Sequence, residues 1–166
     1  MSIIDDYRKS SDSRKAELLD EIEFEDIPEK WELLRSVIAD KNDYDLARTH
    51  ALKILEIAAV PEEDMPAFCD LVLSVIKTDE DCDVRNYAVI ASKNFVNDSD
   101  ALQELIIETL LNTKEDIDIR HNALAAVRAF FDISRRRVVL EKLSSDKDMG
   151  KHALTELASL EGNTRE

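Results

Sequence analysis

Apolar side chains recur along this chain at the three- and four-residue spacing of a single helix face, in stripes separated by short acidic turns. Trp31, Leu33, Leu34, Val37 and Ile38 form one stripe, with Pro28 at a position suited to a first helical turn. Phe68, Leu71, Val72, Val75 and Ile76 form the next, followed by Leu102, Leu105, Ile106, Leu110 and Leu111, then Val138, Val139, Leu140 and Leu143. Each stripe leads through an acidic turn into a second helix whose alanine recurs at Ala51, Ala88, Ala123 and Ala153. The spacings of 37, 35 and 30 residues are those of stacked supersecondary units. The pattern predicts helix pairs at 28–41 with 45–58, 61–78 with 83–96, 99–113 with 118–131, and 133–145 with 148–161. A further amphipathic helix over 13–24 would cap the open end of the stack with a polar face. Gly162 and Asn163 are placed to stop the last helix.

The turns have their own chemistry. Asp45, Asp83, Asp118 and Asp148 stand just ahead of the second helices, where a carboxylate can accept orphan backbone N–H groups and meet the positive end of the helix dipole. Arg48, Arg85 and Arg120 lie three residues before the repeat alanine, and from there a guanidinium could reach an acid of the neighbouring turn to build a ladder along the stack. The alanines are small where helices must cross closely.

The strings DVRNYAV at Asp83–Val89 and DIRHNAL at Asp118–Leu124 resemble the HEAT-like repeat, in particular its short type in phycobilisome-lyase-like proteins. The resemblance covers about residues 28–160, with 1–27 as an N-terminal acidic cap and 161–166 as a tail of one domain. The first unit departs by one inserted residue between Asp45 and Arg48, and the fourth has Gly150 where arginine belongs, which suggests loose packing or a terminal cap there. The family implies an all-α, right-handed α–α superhelix that binds proteins or, in some branches, nucleic acid. It also implies that the second helices line the concave side.

Composition agrees with the helical reading, since two glycines and three prolines are too few for the turns of an all-β fold. No apolar run approaches a membrane span and the first residues lack a secretory pattern, so the expected location is cytoplasmic, with Cys69 and Cys82 as free thiols. The net charge of −15 is uneven: residues 1–80 hold 21 acids against 10 bases, or −11. A field of that sign repels phosphate backbones and anionic lipid and steers basic partners inward.

Two surfaces are candidates for such a partner. One is the row Thr49, His50, Lys53, Asn86, Tyr87, Lys93, His121, Asn122, Arg128, Lys151 and His152 along the second helices, which would form a polar, mildly basic strip or an ordinary solvated face. The other is the acidic patch of Glu17, Asp20, Glu21, Glu23, Glu25 and Asp26, continued by Glu29 and Glu32, which would dock a basic surface or serve as a solvated cap. The three consecutive arginines from Arg135 to Arg137 are expected to pair with nearby acids. No metal is expected: Asp79–Asp83 begins like a calcium loop but has Val84 and Ile90 where glycine and glutamate are needed, and no histidine has another histidine or a cysteine three or four residues on. Nucleophile elbow, phosphate loop and zinc-protease motif are all missing, so no enzyme and no cofactor is expected. The leading expectation is a protein-binding module, most specifically an immunity or antitoxin protein against a basic toxin such as a contact-dependent-inhibition nuclease. The alternative is an adaptor or lyase-like accessory factor.

Overall fold

Each apolar stripe becomes a helix in the computed structural model, which describes residues 2–162. The ten helices among these residues are α1 (Ile3–Lys9), α2 (Asp12–Ile22), α3 (Glu29–Ala39), α4 (Asp45–Ile57), α5 (Met65–Thr78), α6 (Cys82–Ser92), α7 (Asp100–Leu111), α8 (Ile117–Arg128), α9 (Ile133–Leu143) and α10 (Gly150–Gly162). They form five consecutive pairs. First helices pack on first helices, α1 on α3, α3 on α5 and α5 on α7, while α2, α4, α6 and α8 pack successively in a second layer. The pair of α9 and α10 closes the C-terminal end. Gly162 is the last residue of α10, and the stop expected from Asn163 lies outside the described residues.

The cap is therefore a whole helix pair. Its α1 escapes pattern reading because the seven residues IIDDYRK are too short for a period to show. Ile4 and Tyr7 nevertheless bury against the stack, with Ser2 accepting the Asp5 N–H at the helix start.

Between the layers lies one continuous apolar core, in which all four repeat alanines have zero exposure. Trp31 of the first repeat packs against Phe68 of the second, and Phe68 against Phe95 of the same repeat, at ring separations of 6.1 and 6.2 Å.

The aspartates keep their capping role but shift register. The caps are Asp81, accepting from Val84 N–H at 2.8 Å, Asp116, accepting from Asp118 and Ile119 N–H at 2.9 and 3.4 Å, and Asp146, accepting from Asp148 and Met149 N–H at 2.9 Å each. The expected caps Asp83 and Asp118 sit instead inside the first turn, as does Asp45, while Asp148 lies in the turn itself. An acid at either place meets the positive end of the helix, and a turn written D-x-D offers both.

The ladder is present, and each rung joins one unit to the turn of the next. Arg48 reaches Asp79 at 2.5 Å, Arg85 reaches Glu115 at 2.6 Å, and Arg120 reaches Asp146 at 2.5 Å. Lys15 of α2 extends it backward to Asp43, which also accepts the Tyr7 hydroxyl at 3.0 Å. Arg48 and Arg120 do a second job, donating to the Ile38 carbonyl at 3.1 Å and the Leu110 carbonyl at 3.0 Å, near the C-terminal ends of α3 and α7.

Opposite the turns, amides tie the units together. Asn94 donates to the Leu55 and Glu56 carbonyls at the end of α4, and Asn97 donates to the Ala129 carbonyl while accepting the Phe131 N–H. In the fourth unit, where loose packing or a terminal cap was expected, the two helices approach closely at Gly150. A Cβ on Gly150 would stand 2.6 Å from the Ser144 carbonyl oxygen, so glycine is what lets α10 start against the end of α9.

Candidate functional site

The second-helix layer presents the predicted row as a set of contacts between neighbours. Lys53 on α4 holds its ammonium 4.7 Å from the centre of the Tyr87 ring on α6. Asn122 on α8 donates to the Asn86 carbonyl oxygen at 2.8 Å. His121 and His152 meet edge to face at 5.0 Å across α8 and α10. Lys93 pairs with Glu56 at 2.5 Å and Arg128 with Glu156 at 2.7 Å. Lys151 is exposed, whereas Thr49 is nearly buried with its hydroxyl turned onto the Leu46 carbonyl at 3.0 Å.

The row thus lies along one layer, but its basic character is largely consumed. Three of its cations are spent on neighbours: Lys53 on a ring face, Lys93 and Arg128 on carboxylates. Between α4 and α6 it opens into a groove of about 240 Å³ lined by Asp45, Leu46, Thr49, Lys53, Asp81, Asp83 and Tyr87. Three carboxylates around an exposed leucine and a tyrosine ring make a seat suited to a cationic side chain with an apolar stem.

The acidic patch differs in kind. Arg14 bridges Glu17 at 3.0 Å and Glu21 at 2.7 Å, and Asp20 meets His50 Nε2 at 3.1 Å. Lys30 is buried and donates to the Glu23 and Glu25 carbonyls rather than to their carboxylates. Desolvation lowers the Lys30 pKa despite the surrounding acids. Glu17, Asp20, Glu21, Glu25 and Asp26 are exposed and Glu23 half-buried, beside Phe24 at 83 % exposure. The end of α2 is therefore an acidic rim carrying an exposed aromatic.

Elsewhere two of the cluster's arginines pair with acids as expected, Arg135 with Glu104 and Arg137 with Glu161 at 3.7 Å, whereas Arg136 donates to the Arg128 carbonyl at 2.9 Å. Asp79, first residue of the calcium-like string, is taken by Arg48. Burial works to raise its carboxyl, but the Arg48 guanidinium, the Asp81 N–H and Lys41 outweigh it and hold the group below the usual carboxylate range. Hydrogen bonding from Arg120 lowers Asp146 likewise, against a smaller desolvation effect. Burial pushes the Cys69 thiol up to about 11. Among the described helices none is long and apolar enough to cross a membrane.

Sequence spacing did not reveal that Asp20, Glu23 and His50 converge. One ligand-type atom from each lies within 4.8 Å of the others. The two carboxylates come from the last turn of α2 and the residue that caps it, and the imidazole from α4, so no local motif signals them. No family model, curated protein or solved structure matches this chain.

Proposed function

We propose that this protein is a non-catalytic binding module for a basic protein, in its most specific form an immunity or antitoxin protein that neutralises a cationic toxin such as a nuclease. We read the helix pairs as a right-handed, HEAT-like superhelix with the second helices on its concave side. The observation that carries the binding reading is the unequal use of charge. Arg48, Arg85, Arg120, Lys15 and Lys30 are committed to joining units or holding carbonyls, and Lys93 and Arg128 to paired carboxylates. Among the exposed carboxylates of α2 and the segment after it, Glu17 and Glu21 pair with Arg14 and Asp20 with His50. Around α2 and the segment after it the exposed carboxylates outnumber the cations, and a surface of that kind gains on-rate and selectivity toward basic partners.

A nuclease must hold phosphates and is basic for that reason, so an acidic cover can occlude it. Phe24 beside the carboxylates, and the seat of Leu46 and Tyr87, supply the apolar contact that charge alone lacks. Co-purification from the native host, followed by association kinetics with the recovered protein, tests the reading. One tight basic partner is expected, with an on-rate that falls steeply as salt rises. Reversing Glu17, Glu21, Glu25 and Asp26 to lysine should weaken binding more than reversing Lys53, Lys93 and Arg128 to glutamate. Several weak partners indifferent to salt would favour the adaptor reading, and recovery of no basic partner overturns the proposal.

A further inference from the structure

We propose that Asp20, Glu23 and His50 bind a divalent transition-metal ion, Zn²⁺ by the chemistry of the donors, and that the ion clamps the N-terminal helix pair onto the first repeat. The proposal does not depend on the identity of a protein partner. It starts from helix geometry. Asp20 lies in the last turn of α2 and Glu23, three residues on, is the helical-backbone residue that caps its C-terminal end, while α4, which carries His50, packs against α2. His50 Nε2 is already 3.1 Å from Asp20 Oδ1, and the Glu23 carboxylate falls within the same 4.8 Å sphere.

Zinc binds imidazole nitrogen and carboxylate oxygen at about 2.0–2.2 Å, which sets ligand atoms about 3.4 Å apart around a tetrahedron. The Asp20–His50 separation is within a few tenths of an ångström of that value. The remaining contraction falls on Glu23, whose side chain has the rotatable bonds to supply it. Its backbone, meanwhile, is pinned by the Lys30 ammonium 2.5 Å from the Glu23 carbonyl. Two of the three donors therefore stand nearly in place and the third hangs from a fixed point.

The donor set selects the ion. One imidazole with two carboxylates suits Zn²⁺ and its first-row neighbours, whereas Ca²⁺ and Mg²⁺ take six or more oxygens and gain little from nitrogen. Three protein ligands leave a coordination position open to water. Among the described residues no other group of three histidine, cysteine or carboxylate donors is this close; the His121–His152 pair has no third.

Zinc chloride titration of the full chain by calorimetry, with Co²⁺ absorption as an independent readout of coordination, tests the proposal. A Cys82→Ser background removes the exposed thiol as a competing ligand. One ion per chain should bind, with tetrahedral-type visible bands from Co²⁺ and a rise in melting temperature on zinc addition. Affinity should fall at least about tenfold in His50→Ala and in Asp20→Asn, since even outer-shell losses cost ten- to a hundredfold. Asp20→Asn alters an exposed carboxylate outside the core, so it reports on the site even where His50→Ala disturbs packing. The His121→Ala/His152→Ala double variant should bind as the parent does. Absence of binding, unchanged affinity in both site variants, or loss confined to the His121/His152 variant would each overturn the assignment.

Discussion

The first and third arginine rungs of the ladder are built differently from the one between them. Arg48 and Arg120 keep 2 % and 1 % of their side chains exposed, their acids Asp79 and Asp146 only 3 % and 9 %, and both guanidiniums also hold a helix-terminal carbonyl. Arg85 and Glu115 keep 28 % and 17 %, and the nearby α5 terminus is served instead by Lys41 donating to the Thr78 carbonyl at 2.9 Å. The same arginine, at the same place in the repeat, is a buried structural centre in two units and a partly solvated pair in the third. Repeat position decides which residue occurs there, and surroundings decide what it is worth.

Mutation should expose that inequality, beginning with its strongest form. Arg48→Leu or Arg120→Leu leaves a buried carboxylate unpaired and a helix terminus without its donor, and should destabilise by about 3–5 kcal/mol in denaturant unfolding. A loss below 1 kcal/mol in both would remove the distinction between rungs. Gly150→Ala should cost about 1–3 kcal/mol, because the new methyl meets backbone that cannot swing aside. An unchanged melting temperature would mean that α9 and α10 separate freely.

Arg85→Leu is expected to cost no more than about 1 kcal/mol, as for a partly exposed pair. A value matching Arg120→Leu would erase the contrast from the other side. Acid provides the gentlest probe. Asp79 and Asp146 titrate below the ordinary carboxylate value of about 4 in the folded protein, so their contribution is complete above that pH and is lost as pH falls through the lowered values. Melting temperature should therefore fall as pH drops below about 4 less steeply in Asp79→Asn than in the parent, and equal slopes would contradict the paired geometry.

Much of this was legible beforehand because repetition reports on itself. The apolar stripes, the alanine crossings and the forward reach of Arg48, Arg85 and Arg120 all repeat, so four weak signals reinforce one another. What was missed has no such echo. The seven residues of α1 are too few to show a period, and the D-x-D turns offer two acids for one capping place. Gly150 looks like a lapse from the pattern until the Ser144 carbonyl is seen beside it. Asp20, Glu23 and His50 meet only because α2 lies on α4. The row from Thr49 to His152 follows the second helices, while Glu56 and Glu156, which pair with its Lys93 and Arg128, come from positions that no linear pattern assigns to it.

The ladder also has a direction. Lys15, Arg48, Arg85 and Arg120 each extend a cation to an acid in the turn of the following unit, so successive units are complementary to one another in one sense along the chain. Asp43, the first acid of the row, is taken by Lys15 and also by the Tyr7 hydroxyl. The position three residues before Ala153 holds glycine, so the same Gly150 that lets two helices touch ends the row of arginines at Arg120.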